Sequence, residues 1–301
     1  MTQDPLASGD LIAERRFAYA RAAAAEGDLS AAAELFEQTL ERAPRWAGAW
    51  FALGEARQRL GDLDDAAHAF QMSLALDPAD AQGAAPRLAL MGQGETPGAL
   101  SPAYVARLFD GYAWRFDKHL TKNLGYRGPA LIVDAIAPGR RFRSALDLGC
   151  GTGLMGEALR GHTDHLTGVD LSAAMIAKAR ERGVYERLVV GEAAATLKRE
   201  PAAAFDLVVA ADMLVYVGDL EPLFAAVRAA LTVDGLFAFS VETHEGKGFR
   251  LEATMRFAHA RAYVEGIAGE AGLRPLLVRS ASARREAGAD APGLICVFQQ
   301  T

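Results

Sequence analysis

The residues of this sequence best suited to chemistry are three glycines and two acids. Gly149, Gly151 and Gly153 alternate with other residues just after the acid Asp147. Glycine at such positions lets the backbone pass close to a bound ligand, where any Cβ would collide with it. A second acid, Asp170, follows at roughly the separation expected for a carboxylate that binds ribose hydroxyls. These five residues predict a binding site for a nucleoside.

The same region indicates which nucleoside fits. A dinucleotide fingerprint needs a glycine three places after Gly151, and Leu154 stands there instead. The carboxylate of Asp147, placed ahead of the glycines, suits a ligand with a positive amino group better than one with a pyrophosphate. We therefore expect a nucleoside with a cationic, phosphate-free tail, which describes S-adenosylmethionine. A nicotinamide-dependent oxidoreductase is the disfavoured alternative.

Parallel strands and the helices between them must position these residues. The apolar run 144–148 predicts a buried strand that enters the glycine turn, and a helix begins near Thr152. The next strand ends at Asp170, and Ser172 is suited to cap the helix that follows. Further strands are predicted at 187–192, 205–211, 236–241, 276–280 and 294–298, the last two as an antiparallel pair. This order predicts a Rossmann-like sheet with its ligand at the carboxyl ends of the strands.

Two segments, DLGCGTG at 147–153 and GVDLSAAMIAKAR at 168–180, resemble motif I and its successor in class I S-adenosylmethionine-dependent methyltransferases. The resemblance continues through 205–212 and 231–237 and covers residues 101–301. With the region before it, the chain resembles a bacterial methyltransferase carrying N-terminal tetratricopeptide repeats. The resemblance implies an α/β fold with a doubly wound seven-stranded sheet whose last strand is antiparallel. It also implies S-adenosylmethionine as the cofactor and S-adenosylhomocysteine as the product.

By this resemblance, the cofactor contacts the loops at the strand ends and the segment before the sheet. The residues implied are Asp147, Gly149, Cys150, Gly151, Gly153, Asp170, Leu171, Met175, Glu192, Ala193, Asp212, Met213 and Tyr112. In the family, the segment like 109–117 folds over the cofactor, so Tyr112 and Phe116 are candidates to cover the site, followed by Tyr126. Glu192 stands near where the family places an acid beside the adenine. Alternatively, Glu192 caps the helix that follows it.

The acceptor side of the site is expected at the ends of the fourth and fifth strands. Asp212 and Tyr216 would face the methyl group, with Tyr216 as a catalytic candidate. The fifth strand would bring Glu242 and His244 to the same rim, and His244 is a candidate to bind substrate. No cluster of residues in the sequence has the spacing of metal ligands.

A second set of acceptor-side candidates lies farther along the chain. Arg256, His259 and Tyr263 share one face of a predicted helix. A similar segment in related methyltransferases lies near the substrate entrance. We therefore expect an anionic acceptor bound by Arg256 and Tyr263, with His259 as the catalytic proton acceptor because its ordinary pKa is about 6.5. An ordinary solvated helix face is the alternative.

The first part of the chain contains an internal repeat with a period of 34 residues. Gly27, Ala32, Phe36 and Pro44 recur as Gly61, Ala66, Phe70 and Pro78. This period and these residue types are typical of tetratricopeptide repeats, in which each unit is a pair of helices. We therefore expect an all-α repeat domain at 1–91, a linker at 92–100 and a methyltransferase domain at 101–301. The repeats would dock or dimerise, hold a peptide or protein substrate, or wall the active site; the sequence leaves these open.

Composition excludes several other classes of protein. Residues 1–95 contain 15 acids and 8 arginines without any lysine, which argues against binding nucleic acid there. No long uncharged apolar run predicts a membrane span. The two cysteines, Cys150 and Cys296, have no metal-ligand spacing and favour a reduced, cytoplasmic setting.

Together these patterns predict a methyltransferase whose acceptor, a small molecule or a peptide or protein, the sequence does not identify. Methylation of oxygen, nitrogen, sulfur or carbon stays open, and a base is needed only if the acceptor must lose a proton. The alternative is a repeat scaffold that binds the cofactor without catalysis.

Overall fold

The computed structural model describes residues 8–118, 125–136, 139–286 and 289–301. The chain divides into two compact units, Met1–Tyr104 and Val105–Thr301. The first unit therefore extends past the predicted repeat domain and takes in the expected linker at 92–100. Helical spacing of apolar residues predicts a helix from Ala103 to Leu120 and another at 131–136, before Pro138. Leu120 and Pro138 lie outside the described residues.

The first unit consists of helices, as the repeat pattern predicts. They are α1 (Leu11–Glu26), α2 (Leu29–Arg42), α3 (Ala47–Leu60), α4 (Leu63–Leu76) and α5 (Ala84–Leu90). α1 pairs with α2 and α3 with α4, each pair turning at a left-handed glycine, Gly27 or Gly61, with φ 91°. Gly54 leaves room for the Phe70 ring, since a Cβ at Gly54 would lie 2.7 Å from it. Close helix approach therefore depends on the small residues of the repeat.

The repeat pattern predicts a further helix from about Ala79 to Met91 that caps the stack, and the observed α5 is shorter. Asp80 adopts a left-handed conformation with φ 50°, and its carboxylate accepts the N–H groups of Ala84 and Ala85. The chain thus turns at Asp80 and the helix starts only at Ala84. The side chain of Asp80 replaces the missing first turn by satisfying the free N–H groups of α5.

The second unit alternates helices and strands. Its helices are α6 (Pro102–Asp110, shared with the first unit), α7 (Phe116–Lys118), α8 (Gly128–Ala135), α9 (Leu154–Ala158), α10 (Ala173–Arg182), α11 (Ala193–Leu197), α12 (Glu221–Ala230) and α13 (Arg261–Glu270). Its strands are β1 (Phe142–Leu148), β2 (Thr163–Asp170), β3 (Arg187–Val190), β4 (Phe205–Ala210), β5 (Leu231–Thr243), β6 (Phe249–Leu251), β7 (Phe257–His259), β8 (Leu273–Ser280), β9 (Arg285–Glu286), β10 (Ala289–Asp290) and β11 (Gly293–Gln300).

The main sheet confirms the predicted Rossmann-like architecture. Its order is β3-β2-β1-β4-β5-β11-β8, with β1 to β5 parallel and β11 antiparallel to both of its neighbours. Apolar side chains cover both faces of the sheet, which explains why β4 and β5 read as nearly continuous apolar runs. The chain order reverses between β1 and β4, where such sheets bind ligands.

Two parts of the second unit differ from the prediction. The helix expected from 103 to 120 breaks after α6 into a turn at 111–115 and the short α7. The helix expected to carry Arg256, His259 and Tyr263 begins only at Arg261. Residues Phe257–His259 instead form β7, which pairs in parallel with the end of β5, because three consecutive buried residues suit a sheet edge better than a half-exposed helix.

Within the described ranges, no helix is both long and apolar enough to cross a membrane. Cys150 and Cys296 are both buried as free thiols.

Candidate functional site

The carboxyl ends of β1, β2, β4 and β5 bring most of the predicted site residues together. At the centre is the glycine turn after β1, whose three glycines have φ values of 68°, 54° and 94°. Such values strain any residue with a Cβ. The turn is held at its start by Gly149, which donates its N–H to the carbonyl of Val169 on β2 at 2.8 Å.

The carboxylate of Asp170 fixes the glycine turn from the neighbouring strand. Its Oδ2 accepts the N–H of Gly151 at 2.9 Å, and its Oδ1 accepts the N–H of Ser172 at 2.8 Å. Burial raises the pKa of Asp170, whereas these two N–H groups lower it. Ser172 caps α10 through Met175, as predicted. Asp170 therefore lies beside the turn, where the ribose of a nucleoside would meet it.

Asp147 is the most unusual acid of the site. It is fully buried under the glycine turn, and burial raises its pKa to about 7. The hydroxyl of Tyr185 donates to its Oδ2 at 2.7 Å and lowers that pKa, while the charge of Asp170 raises it. In the part of the chain that the structure describes, its Oδ1 has no hydrogen-bond partner. A buried carboxylate oxygen without a partner suits a ligand that brings a cationic donor.

The segment predicted to fold over the cofactor does lie on the glycine turn. A Cβ at Gly151 would be 3.7 Å from the ring of Phe116, and the Tyr112 ring meets that of Phe116 edge-on at 5.5 Å. The segment is anchored at Asp117, which accepts a hydrogen bond from Thr152 and pairs with Arg182 at 2.5 Å. The Phe116 ring therefore lies between Tyr112 and the glycine turn.

The segment 109–117 is also anchored at Asp110. Oδ1 of Asp110 accepts a hydrogen bond from the Ser172 hydroxyl at 2.5 Å and another from the Ala174 N–H at 3.2 Å. Both anchors therefore connect the covering segment to the two loops that carry Gly151 and Asp170. Neither contact was predicted from the sequence.

The remaining residues predicted to contact the cofactor differ in how deeply their side chains are buried. Cys150 packs its side chain against α10 and Met175 is buried, so only their backbones could reach a ligand, whereas Leu171 and Ala193 are partly exposed. Glu192 accepts the N–H groups of Ala194 and Ala195 with its two oxygens. This is the capping alternative, and it leaves the adenine role of Glu192 without structural support.

The acceptor-side rim contains a cluster of four charged side chains, Asp212, Glu242, Arg256 and Arg284, which we call the charge cluster. Arg256 lies 2.7 Å from Asp212 and 2.8 Å from Glu242, and Arg284 lies 2.6 Å from Glu242 and 3.7 Å from Asp212. All four side chains are less than one-fifth exposed. Burial lowers the pKa of Arg256, but the charges of Asp212, Tyr216 and Glu242 outweigh burial and raise it. The cluster is thus two cations balanced by two anions.

The segment at the end of β4 is held in place by this cluster. Asp212 adopts a left-handed φ of 57°, unfavourable for a residue with a side chain, and donates its N–H to Ser240 at 2.8 Å. Tyr216 accepts a hydrogen bond from Arg256 at 3.3 Å, and the guanidinium lies 5.4 Å from its ring centre. Met213 packs on Gly149, so the two predicted halves of the site touch.

His259 does not have the geometry of the predicted proton acceptor. Its ring is fully buried, and burial lowers its pKa to about 4. Its Nε2 lies 2.9 Å from the carbonyl of Val217 and 3.2 Å from that of Gly218, so Nε2 carries a proton and donates it. His259 therefore fixes the loop after Tyr216, and this geometry does not support the catalytic role expected for it.

Tyr263 and His244 also fall short of the predicted substrate contacts. The Tyr263 hydroxyl accepts the N–H of Leu220 at 3.0 Å and its ring stacks on His259, so it anchors the same loop. His244 does lie at the end of β5, where its Nδ1 is 3.0 Å from the Glu245 carbonyl. Neither contact involves the charge cluster, so the substrate roles of both side chains stay predictions.

Sequence reasoning missed two residues that the structure places in the site. Tyr185 follows α10 and Arg284 lies in the hairpin between β8 and β11, and neither belongs to a recognisable motif. Glu242 was expected at the rim but without a role. Burial raises the pKa of Tyr126 well above its usual value, as do the charges of Asp212 and Asp147, so this tyrosine lies near both halves of the site.

Among the described residues, no group of histidines, cysteines and acids could hold a metal ion. The glycine turn, the orphaned oxygen of Asp147 and the carboxylate of Asp170 do fit a cationic nucleoside, since they combine a cradle without side chains with buried acceptors.

Comparison with known families agrees with this geometry. Residues 146–237 match the family model described as a methyltransferase domain, and residues 47–80 match that of a tetratricopeptide repeat. The first range runs from the end of β1 through the glycine turn and β4 into β5, and the second contains α3 and α4. The predicted family resemblance is therefore confirmed in both parts of the chain.

Curated relatives match less than half of the chain. The chain is 30% identical over 122 residues to the ubiquinone biosynthesis O-methyltransferase of Histophilus somni, covering 38% of this chain and 51% of that protein. It is 35% identical over 145 residues to the trans-aconitate 2-methyltransferase of Paracidovorax citrulli, covering 48% of this chain and 55% of that protein. The chain thus spans about half the length of the curated relatives it matches.

Solved structures show the fold. The Burkholderia thailandensis 1,6-didemethyltoxoflavin-N1-methyltransferase, solved with 1,6-didemethyltoxoflavin and S-adenosylhomocysteine, superposes with a TM-score of 0.52 at 20% identity. The match covers 69% of this chain and 93% of that chain.

Proposed function

We propose that this chain, which carries a methyltransferase domain behind a tetratricopeptide repeat, transfers the methyl group of S-adenosylmethionine to a small acceptor. S-adenosylhomocysteine is then the second product. The observation that carries the proposal is the buried Asp147 with one oxygen unpartnered, directly beneath a turn of three left-handed glycines. That pairing of an anionic acceptor with a cradle free of side chains is what an adenosyl sulfonium with an amino group requires.

The residues of the second unit divide the work of binding. Asp147 would receive the ammonium group, Asp170 would receive the ribose hydroxyls, and the backbone from Gly149 to Gly153 would lie along the ligand. Phe116 and Tyr112 would cover the bound nucleoside and exclude water from it. When bound, the sulfonium supplies an electrophilic methyl group. Holding the acceptor in line with that group contributes roughly 7–11 kcal/mol of barrier reduction in well-aligned reactions.

The acceptor-side rim favours an acceptor that is already ionised. The proton acceptor expected from the sequence, His259, is buried and donates from Nε2. A carboxylate acceptor needs no base, because its oxygen attacks without losing a proton. Arg256 and Arg284 are the cations that would orient it, beside Asp212 at the end of β4. We therefore propose a small carboxylic acid as the acceptor and a methyl ester as the product.

Charge balance supports the same choice. The charge cluster holds two arginines and two carboxylates, so an anionic acceptor beside it is favoured when a cation is also present. The sulfonium is such a cation, and the reaction turns the charged pair into a neutral ester and a neutral thioether. Loss of charge separation is favoured in a site that excludes water. One curated relative is named for trans-aconitate, which bears carboxylates, and another is named as an O-methyltransferase.

Replacing either arginine of the charge cluster should weaken acceptor binding without weakening cofactor binding. For Arg256→Gln and Arg284→Gln we expect the KM for a small acid to rise at least about tenfold, because each removes a charged hydrogen-bond donor. Arg256→Lys keeps the charge but loses the planar fork, and it separates lost recognition from misfolding. Arg250→Gln is the control, since Arg250 is more than half exposed and pairs with Glu252 outside the cluster.

The assay is transfer of labelled methyl from the cofactor to a panel of small carboxylic acids, amines and phenols. A methyl ester releases its label as methanol in mild alkali, whereas N-methyl and aryl O-methyl products keep it. Alkali-stable product would reject the carboxylate acceptor and leave the methyltransferase standing. Cofactor binding with no transfer to any acceptor class would favour a scaffold that has lost catalysis.

For the first unit we propose a protein-binding role, through a groove between α2, α3 and α4. Its floor is apolar, from Leu40, Trp50 and Leu53. Its charged and polar lining is Glu37, Glu41, Arg57, Asp65 and His68, of which Arg57 is paired with Glu37 and leaves Glu41 and Asp65 as the acids in excess. Residues 1–95 have seven more acids than arginines, so the surroundings of the groove are also acidic. Charge complementarity therefore points to an extended protein segment that carries lysine or arginine beside an apolar residue.

Short peptides with a central lysine should bind this groove better than the same peptides with a central glutamate. Trp50 lines the groove and reports binding through its fluorescence. We expect Asp65→Asn to weaken binding several-fold and added salt to weaken it further, since the attraction is electrostatic and partly exposed. Asp64→Asn is the matched control, because Asp64 is the neighbouring acid of α4 and does not line the groove. Equal binding of both peptide sets would refute the proposal.

A further inference from the structure

The Tyr185 ring packs against the glycine turn and is bordered by three glycines. Its ring occupies the space that a Cβ would take at Gly153, Gly156 and Gly168, with closest distances of 3.1, 2.4 and 2.9 Å. Three glycines from the turn, from α9 and from β2 thus make room for a single aromatic ring. Gly156 and Gly168 have ordinary negative φ values, so they are needed for this space and not for backbone strain.

The hydroxyl of Tyr185 joins two parts of the site. It donates to Oδ2 of Asp147 at 2.7 Å, and it accepts the N–H of Gly156 at 3.2 Å. The Gly156 N–H belongs to the first turn of α9, where N–H groups have no partner within the helix. One phenol therefore fixes the carboxyl plane of Asp147 and the start of the helix that follows the glycine turn.

This arrangement leaves Asp147 with one occupied oxygen and one free oxygen. A carboxylate held by one fixed donor cannot rotate, so its second oxygen, Oδ1, keeps one direction. Oδ1 is buried and lacks a partner among the described residues. A carboxylate with one oxygen held by a donor and the other oxygen unpartnered is pre-organised to bind a cation.

We propose that Tyr185 is a positioning residue of the cofactor site, whose hydroxyl orients Asp147 for the ammonium group of S-adenosylmethionine. This inference rests on the proposed function, because it concerns the same site. Asp147 acts on the ligand, and Tyr185 acts through Asp147.

The ionisation of Asp147 gives the inference a specific consequence. The groups that face Asp147 are Tyr185 after α10, Asp170 at the end of β2, Cys150 in the glycine turn and Tyr126 before α8. Of these, the Tyr185 hydroxyl is the one that lowers the pKa of Asp147, and burial and Asp170 raise it. Removing the hydroxyl therefore raises that pKa. More of the protein then carries a protonated, uncharged Asp147 at neutral pH, and a cation binds it less well.

Tyr185→Phe tests the inference because it removes the hydroxyl and keeps the ring that fills the space between the glycines. We expect calorimetric affinity for S-adenosylmethionine to fall about tenfold at pH 7. We also expect the loss to shrink as the pH rises towards 9, as Asp147 ionises again. A merely structural role would lower affinity equally at every pH.

A double-mutant cycle provides the control. In the Asp147→Asn background, position 147 has no carboxyl group that can ionise. Adding Tyr185→Phe should therefore not change the pH dependence of binding. Tyr19→Phe, at an exposed tyrosine of α1, should match the unchanged protein throughout. A Tyr185→Phe protein whose affinity follows the wild-type pH profile would overturn the proposal.

The two levels of inference fail separately. Carbon-13 NMR of labelled aspartate measures the Asp147 titration in the protein without cofactor. If Tyr185→Phe raises that pKa but the wild-type chain binds no S-adenosylmethionine, the proposed function fails and the Tyr185–Asp147 coupling stands. If the chain binds the cofactor but the titration does not move, the positioning role of Tyr185 fails alone.

Discussion

Gly149→Ala should abolish most cofactor binding. A Cβ at this position would lie 2.5 Å from Cγ and 2.7 Å from Cβ of Met213, and the backbone has a φ of 68°. The left-handed conformation costs about 1–2 kcal/mol for a residue with a side chain. Overpacking against the partly buried Met213 adds about 1–3 kcal/mol. If the turn relaxes to escape both, its N–H groups leave the ligand, and we expect S-adenosylmethionine affinity to fall at least about thirtyfold.

Gly183→Ala is the matched control for that experiment. Gly183 ends α10 with a φ of 64°, nearly the same as that of Gly149, but a Cβ there would meet nothing within 4 Å. It therefore carries the conformational cost without the collision. We expect a loss of about 1–2 kcal/mol in the free energy of unfolding and unchanged affinity for the cofactor. Equal affinity loss in both variants, measured by calorimetry, would mean that the contact with Met213 is unimportant.

The contact between Gly149 and Met213 also shows how much of the site can be predicted from the sequence alone. The alternating glycines predicted a turn into a helix, and all three have left-handed φ values. The sequence could not show that the side chain filling the space beside Gly149 comes from the loop after β4. That contact depends on the strand order, which places β4 next to β1 in parallel. The local sequence pattern determines the glycine turn, whereas the strand order determines which side chain packs against it.

The segment from Arg256 to Tyr263 shows where periodicity fails. Spacings of three and four residues indicated one helical face, but Phe257–His259 joins the edge of β5 instead. A short apolar segment gains more from a sheet edge that offers free backbone hydrogen bonds than from an isolated helical turn. The wrong secondary structure led to the wrong role for His259, because a histidine exposed on a helix can accept a proton and this buried one donates.

The charge cluster could not be predicted for a related reason. Arg284 lies in the connection between β8 and β11, and Glu242 lies at the end of β5, 42 residues away. Nothing in the spacing of these residues relates them, since the antiparallel insertion of β11 beside β5 is what brings them together. Short motifs therefore identified the cofactor half of the site, whereas the acceptor half is assembled by long-range pairing.

Asp147→Asn should stabilise the free protein at pH 8 while weakening cofactor binding. The folded pKa of Asp147 is raised to about 7 from an unfolded value near 3.8. The folded state therefore binds the extra proton, so stability from this group is complete below pH 3.8 and is lost as the pH rises to 7. Above pH 7 the buried charge costs at most about 4 kcal/mol, which asparagine removes.

The same charge is what a cationic ligand uses, so the substitution should have the opposite effect on binding. We expect S-adenosylmethionine affinity to fall at least about tenfold at pH 8, because a charged hydrogen bond is lost. Wild-type affinity should rise with pH through 7 as Asp147 ionises, and the variant should lack that rise. Asp134→Asn is the control, since Asp134 is exposed and pairs with Arg279 at the surface. Thermal unfolding and calorimetry at pH 6 and pH 8 measure both effects. An Asp147→Asn protein that is less stable at pH 8, or that binds the cofactor as tightly as the wild type, would contradict the idea that this buried carboxylate is kept at a cost in stability in order to bind a cation.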